Sequence, residues 1–218
     1  MAESILTLAG GRSVSALWTP GTDTGAGWTV VYAPGAGSNL HDPFGRHLAA
    51  ALTAQGIGCL RFQFPYQETG QRRPDAPPLL EEAWQAAIAA ARQHGGRLAI
   101  GGLSMGGRIA SMVTAKGAPV EALALFAYPL HPPGRPDQRR DRHLGALAVS
   151  TLFCSGARDA FASPDELAAA AALVPRSTVH LLQGADHGFA TLKSSGRTRQ
   201  DVWEEAVETL VAWLRELG

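Results

Sequence analysis

The chain has 218 residues, with 19 Lys and Arg against 19 Asp and Glu, so its formal net charge is zero at neutral pH. That balance gives no global attraction to nucleic acid or to an anionic membrane. An apolar share of 45% is ordinary for a globular domain and excludes a disordered chain. This is about the length of one α/β domain with a substantial core, so residues 1–218 read as a single domain.

In chain order, Ile5–Leu8 and Val14–Leu17 read as short strands joined at Gly10-Gly11, a hairpin at a sheet edge. The start, Met1-Ala-Glu-Ser-Ile-Leu-Thr-Leu-Ala9, lacks the basic opening and long apolar run of a secretory signal. No stretch approaches the eighteen or so apolar residues of a membrane span, so the expected location is cytoplasmic. Trp28–Ala33 is a continuous apolar run, the mark of a strand covered on both faces. A glycine-containing loop leads to a helix from Asp42-Pro43 to about Gln55, capped by Asp42, striped by Phe44, Leu48 and Leu52, and stopped at Gly56.

Gly58–Gln63 is the next strand, and Pro65–Pro78 reads as an irregular, Pro-rich loop carrying Arg72 and Arg73. Leu79–Gln93 is a helix with Leu80, Trp84, Ile88 and Ala91 on one face. Arg97-Leu-Ala-Ile-Gly-Gly-Leu-Ser-Met-Gly-Gly-Arg108 follows. It reads as a strand, an abrupt Gly-X-Ser-X-Gly turn and a helix start, with Met105, Ile109, Met112 and Val113 facing inwards. Val120–Phe126 is a further strand. Residues 131–147 form a short lid-like loop bearing Arg135, Arg139, Arg140 and Arg142. Such charges suit an acidic substrate or partner, or simply a solvated loop.

Ala148–Cys154 is a strand, followed by Ser163-Pro164-Asp165-Glu166, which has the pattern of a capping box opening a helix. Thr178–Leu182 is the last strand, and about Gln200 to Leu217 the last helix, with Trp203, Val207, Leu210 and Leu214 as its stripe. Alternating strands and helices predict an α/β protein with a mostly parallel sheet. Cys59 and Cys154 both lie in apolar strands and read as reduced, buried thiols.

The bare Gly-X-Ser-X-Gly pattern is weak evidence; a strand entering it and a helix leaving it are what the chemistry requires. Such a turn holds a serine in a strained conformation at the top of a sheet, and small residues two positions either side avoid collision. Ser104 is therefore the candidate nucleophile. Asp159 follows the Ala148–Cys154 strand and His187 follows the Thr178–Leu182 strand, which gives the order serine, acid, histidine at successive strand ends. Asp186 is a rival acid, but sequence neighbours rarely orient one another's rings. Among other histidines, His180, His94 and His47 lie within regular elements, whereas His41 and His131 lie on loops at the same end of the sheet and are candidate substrate contacts, with Phe161.

Acyl transfer also requires donors for an oxyanion. The expected ones are the backbone N–H groups of Met105 and of Ala36, the latter in the loop Ala33–Asp42, where Gly35 and Gly37 allow close approach to a substrate. The same loop is open to reading as a plain strand-to-helix turn, while the absence of a following Lys-Ser/Thr rules out a P-loop. No cluster has metal-ligand spacing and no dinucleotide fingerprint follows the first strand, so no cofactor or metal is expected.

With these groups placed, the chain resembles the α/β-hydrolase superfamily over nearly its whole length. Pro34-Gly-Ala-Gly-Ser38, Arg61-Phe-Gln-Phe-Pro-Tyr66 leading to Arg72-Arg-Pro74, and Tyr128-Pro-Leu-His-Pro-Pro-Gly134 narrow the likeness. They are similar to the small family of testis-expressed hydrolase-like, or dienelactone-hydrolase-like, proteins and their bacterial relatives. The resemblance implies a three-layer sandwich with a minimal lid and a triad of Ser104, Asp159 and His187; it implies no substrate. Two departures are visible: Pro34 stands where many relatives have histidine, and Ser104 where true dienelactone hydrolases have cysteine.

The expectation is a serine hydrolase of a small-molecule ester or thioester with a small to medium acyl group, acting as a monomer or homodimer. Two other readings share these residues: a peptidase or amidase using the same triad, and a non-catalytic interaction protein on a hydrolase scaffold.

Overall fold

In the computed structural model, which describes residues 2–21 and 27–218, one eight-stranded sheet runs through the centre of the protein. The strands are β1 (Ala2–Thr7), β2 (Ser13–Thr19), β3 (Trp28–Ala33), β4 (Gly58–Phe62), β5 (Arg97–Leu103), β6 (Ala122–Phe126), β7 (Ser150–Gly156) and β8 (Ser177–Leu182). Their spatial order is β1-β2-β4-β3-β5-β6-β7-β8. The N-terminal hairpin pairs antiparallel, as does β2 with β4, and every later pair is parallel.

The helices are α1 (Pro43–Ala54), α2 (Pro65–Glu68), α3 (Pro77–Arg92), α4 (Met105–Ala115), α5 (Pro164–Ala171) and α6 (Arg199–Glu216). Strand alternation assigns them to the two faces. Leu98 and Ile100 of β5 and Leu123 and Leu125 of β6 join a core with Trp84 of α3, Ile109 of α4 and Leu167 of α5. Ala99, Ala122 and Ala124 point the other way, into a core shared with Phe44, Leu48 and Leu52 of α1 and Val207, Leu210 and Leu214 of α6. The result is the three-layer α/β-hydrolase architecture.

Local chemistry fixes the helix starts as expected. Asp42 accepts from the Phe44 and Gly45 N–H groups, with Pro43 at the first position. Ser163 and Glu166 complete a capping box. The stretch Pro65–Pro78 is less irregular than its composition predicts. It contains α2, whose preceding residue Phe64 donates its N–H to Gln67 Oε1 at 2.8 Å. No helix among the described residues is long and apolar enough to cross a membrane.

Candidate active site

The strand-to-helix turn between β5 and α4 holds Ser104 at φ 52°, a left-handed conformation that a side chain rarely adopts. Its neighbours explain how the turn is made. A Cβ at Gly102 or at Gly106 would lie 2.2 Å from the Ala33 carbonyl oxygen, so β3 passes too close for anything but glycine at either position. The Ser104 N–H is tied to the Phe126 carbonyl at 2.8 Å, and its own carbonyl accepts the Arg108 N–H at 3.0 Å. Both backbone groups are thus engaged, which leaves the hydroxyl aimed outwards into a cavity of about 610 Å³.

The three residues expected to act together meet there. His187 Nε2 lies 2.8 Å from Ser104 Oγ, and His187 Nδ1 lies 2.8 and 3.0 Å from the two carboxylate oxygens of Asp159. The Asp159 side chain is fully buried, and its Oδ1 also accepts the Phe161 N–H at 2.8 Å. An ionised carboxylate accepts only, so Nδ1 carries the proton, Nε2 presents a lone pair, and the serine hydroxyl donates to it. Asp186 plays a different part. Its Oδ1 accepts the N–H groups of Gly188 and Ala190, each at 2.9 Å, and so shapes the loop carrying His187.

The expected oxyanion donors face the same cavity, since Met105 and Ala36 both line it. Met105 is the first residue of α4, where an N–H has no partner within the helix. The peptide between Gly35 and Ala36 is held from its carbonyl side. Gly35 O accepts from Gln67 Nε2 at 3.3 Å and from the Ser38 N–H at 3.1 Å. Because a trans peptide sets its C=O and N–H on opposite sides, these bonds turn the Ala36 N–H away from Gln67. Gln67 Nε2 also bonds Ser38 O, and Tyr66 Oη donates to Ala36 O at 2.8 Å. Tyr66 is kept protonated, its pKa pushed up to about 12 by burial. Tyr66 ends one of the stretches that carry the family likeness, but its part in bracing this loop, like that of Gln67, is not readable in the sequence. Only the fold lays α2 against the Ala33–Asp42 loop.

Gly35, Gly37 and Phe161 line the cavity, whereas His41 and His131 lie outside its wall. His41 is exposed, and its N–H bonds Asn39 Oδ1 at 2.9 Å in the turn before α1. His131 is buried, and both ring nitrogens are occupied: Nδ1 lies 2.8 Å from Pro132 O within its own segment, and Nε2 lies 3.3 Å from Glu166, which ties the 131–147 segment to α5. From that segment only Arg140 reaches the cavity. Arg108, one turn into α4 and opposite in kind to the apolar inward stripe, reaches it too.

Comparison with known proteins places the chain by family and fold. Residues 26–215 match a family model described as Alpha/beta hydrolase domain. The fold is similar to the esterase domain of a Rhodothermus marinus protein (18% identity over 99% of this chain and 98% of that one, TM-score 0.73). It is similar also to an alpha-beta serine hydrolase homologue from Coxiella burnetii (20%, 96% and 97%, TM-score 0.77). A third is Est1E from Butyrivibrio proteoclasticus, solved with ferulic acid bound (12%, 96% and 98%, TM-score 0.78). At such identities these likenesses are of fold.

Proposed function

The chain belongs to the alpha/beta hydrolase domain family, and on that premise we propose that it is a serine hydrolase cleaving carboxylic esters or thioesters through a covalent acyl-enzyme. The observation that carries this reading is the unbroken run of short hydrogen bonds from Ser104 Oγ through His187 to the buried Asp159, at the edge of a cavity. Each group has a role its position suits. Ser104 Oγ attacks the substrate carbonyl carbon as its proton passes to His187 Nε2. The oxygen that becomes negative is met by the N–H groups of Met105 and Ala36. When the tetrahedral species collapses, the C–O or C–S bond breaks, and the His187 Nε2 proton goes to the departing alcohol or thiol.

Water then repeats the sequence. His187 removes its proton, the hydroxide adds to the acyl carbon, and the acid leaves as Ser104 regains a hydrogen. Asp159 stays ionised throughout, fixing the tautomer and stabilising the imidazolium. The cavity of about 610 Å³ is of the size that takes a small to medium molecule. With only Arg140 of the 131–147 segment over it, the lid is minimal and a long acyl chain would find little to cover it. We read the partner accordingly as a small molecule.

The test is intact-mass analysis after treatment with a fluorophosphonate probe, on the wild type, Ser104→Ala and His187→Ala. One adduct on the wild type and none on either variant is the expected result. No adduct on a folded wild type would remove the mechanism and leave the non-catalytic reading. Matched ester and anilide substrates then separate an esterase from an amidase.

A further inference from the structure

The cavity wall carries two guanidinium groups with which no described carboxylate pairs. Arg108 and Arg140 both line it. Neither forms an ion pair with any described residue. Their side-chain hydrogen bonds are weak ones: Arg108 Nη1 to Met112 Sδ at 3.6 Å and Arg140 Nη1 to the Pro129 carbonyl at 3.4 Å. Nearby acids are committed elsewhere. Asp141 pairs with Arg139 at 2.6 Å, Glu81 with Lys116 at 2.6 Å, and Asp75, which shares the cavity, accepts the Tyr66 N–H at 2.8 Å. His143 is occupied by Ser111 Oγ at 2.7 Å.

The arrangement is also held open against its own repulsion. Burial first, and the Arg140 charge second, push the Arg108 pKa below the ordinary arginine value. The Arg140 backbone, from which its side chain reaches the cavity, is fastened on both sides. Its N–H donates to Leu130 O at 2.8 Å, and its carbonyl accepts from Tyr128 Oη at 2.7 Å. Arg108 is fixed by its place in α4, one helical turn, or about 6 Å of rise, beyond the Ser104 nucleophile. Two half-buried like charges kept together without a counter-ion form a receptor for an anion, and planar guanidinium forks suit a planar carboxylate.

We propose that Arg108 and Arg140 bind a free carboxylate on the substrate, so that the preferred substrates are esters or thioesters that carry a second, unesterified carboxylate a few carbons from the scissile bond. The reaction rests on the serine-hydrolase reading above; the binding of the carboxylate does not, and the experiment keeps the two apart.

Monoethyl glutarate and ethyl valerate have the same acyl length and differ in the terminal carboxylate. Calorimetric titration of monoethyl glutarate into the non-hydrolysing Ser104→Ala protein is expected to give saturable binding. Adding Arg108→Gln or Arg140→Gln to that protein should weaken it by about ten- to a hundredfold, the scale of a lost charge-assisted pair. Arg108→Lys should recover part of the loss, because charge returns without the fork. In wild-type kinetics the kcat/KM ratio of monoethyl glutarate over ethyl valerate should exceed unity, and Arg108→Gln should lower that ratio. Equal binding by the parent and both arginine variants, each shown folded by circular dichroism, would overturn the proposal even if fluorophosphonate labels Ser104. Failure of labelling alongside arginine-dependent binding would instead overturn the hydrolase reading and leave the carboxylate site standing.

Discussion

Phe161 stacks on His187, with ring centroids 3.9 Å apart and planes 24° from parallel. Its N–H at the same time donates to Asp159 Oδ1 at 2.8 Å, and its carbonyl accepts the His131 N–H at 3.1 Å. One residue therefore packs the imidazole by its side chain and orders the acid by its backbone. Truncation separates the two, since the backbone bond survives. Phe161→Ala should lower kcat about two- to tenfold, the worth of an aromatic pair that holds the ring in line with Ser104. Phe161→Tyr should retain most of the rate. Steady-state kinetics on any ester turned over by the wild type decides; full kcat in Phe161→Ala would show that Asp159 alone orients the ring.

The two glycines of the Ala33–Asp42 loop are not equivalent. A Cβ on Gly35 would sit 3.7 Å from Ser104 Cβ, in ordinary contact with the nucleophile and in the space a substrate needs. A Cβ on Gly37 would meet nothing within 4 Å. Neither has a positive φ. Gly35→Ala should fold with a near-wild-type melting temperature yet lose at least about tenfold in kcat/KM, since small misplacements at a reacting centre have large effects on rate. Gly37→Ala should remain close to the wild type in both. A parallel loss in the two variants would place the sensitivity in loop flexibility instead.

Much of this is legible in the chain, and particular residues show where legibility stops. Trp28–Ala33 announces a covered strand by being apolar throughout, and β3 is buried along its length. The caps Asp42 and Ser163 mark helix starts because their chemistry is local. Ser104, Asp159 and His187 are readable because each follows its own strand, and a parallel sheet carries those ends to one edge. His131 is not, because its fate depends on Glu166, 35 residues away. Arg108 and Gln67 escape a reading of the sequence for a related reason. Periodicity identifies the apolar face of a helix but does not tell which polar side chain at its end borders a cavity or braces a loop from another element.

Glu166 links that capping box to acid stability. Its pKa is lowered from the ordinary 4.5 to about 2, chiefly by the Ser163 hydroxyl and N–H and then by His131. A carboxylate whose folded pKa is depressed stabilises the fold above its unfolded pKa, and that stability is lost as pH falls through the folded value. Glu166→Gln should therefore melt below the wild type at pH 7. The gap should close between about pH 4.5 and pH 2, as the wild type loses what the variant never had. Thermal melts across that range provide the check, and a gap independent of pH would assign the effect to packing.

The thiols give a separate check on which atom is the nucleophile. Cys59 and Cys154 are both buried, and burial pushes the Cys59 pKa up to about 12 and that of Cys154 higher too. At pH 8 both remain protonated and shielded, hence unreactive. Ellman's reagent should find no fast thiol in the native protein and two after denaturation, and iodoacetamide should leave fluorophosphonate labelling intact. Loss of labelling on alkylation would point to a cysteine in the chemistry.

A severe steric demand lies beneath Ser104. Gly102 pairs with Ala33 in the β3–β5 register, and a Cβ there or at Gly106 would stand 2.2 Å from the Ala33 carbonyl oxygen; at Gly106 the Pro34 carbonyl would also lie only 2.7 Å away. Those contacts are with backbone atoms of a central strand, so no side chain can swing aside to relieve them. Overpacking of this kind costs about 1–3 kcal/mol or more. For a chain of this length that corresponds to a fall in melting temperature of roughly 2–12 °C. Gly102→Ala and Gly106→Ala should each show it, together with a loss of fluorophosphonate labelling greater than the loss of stability explains, because relief comes by moving β5 and the turn that aims Ser104 Oγ at His187, or the Ala33-Pro34 segment that leads into the oxyanion loop. Wild-type labelling in either variant would mean that the turn tolerates a displacement of its own strand, and that the serine's conformation is set by the Phe126 and Arg108 backbone bonds rather than by the glycines around it.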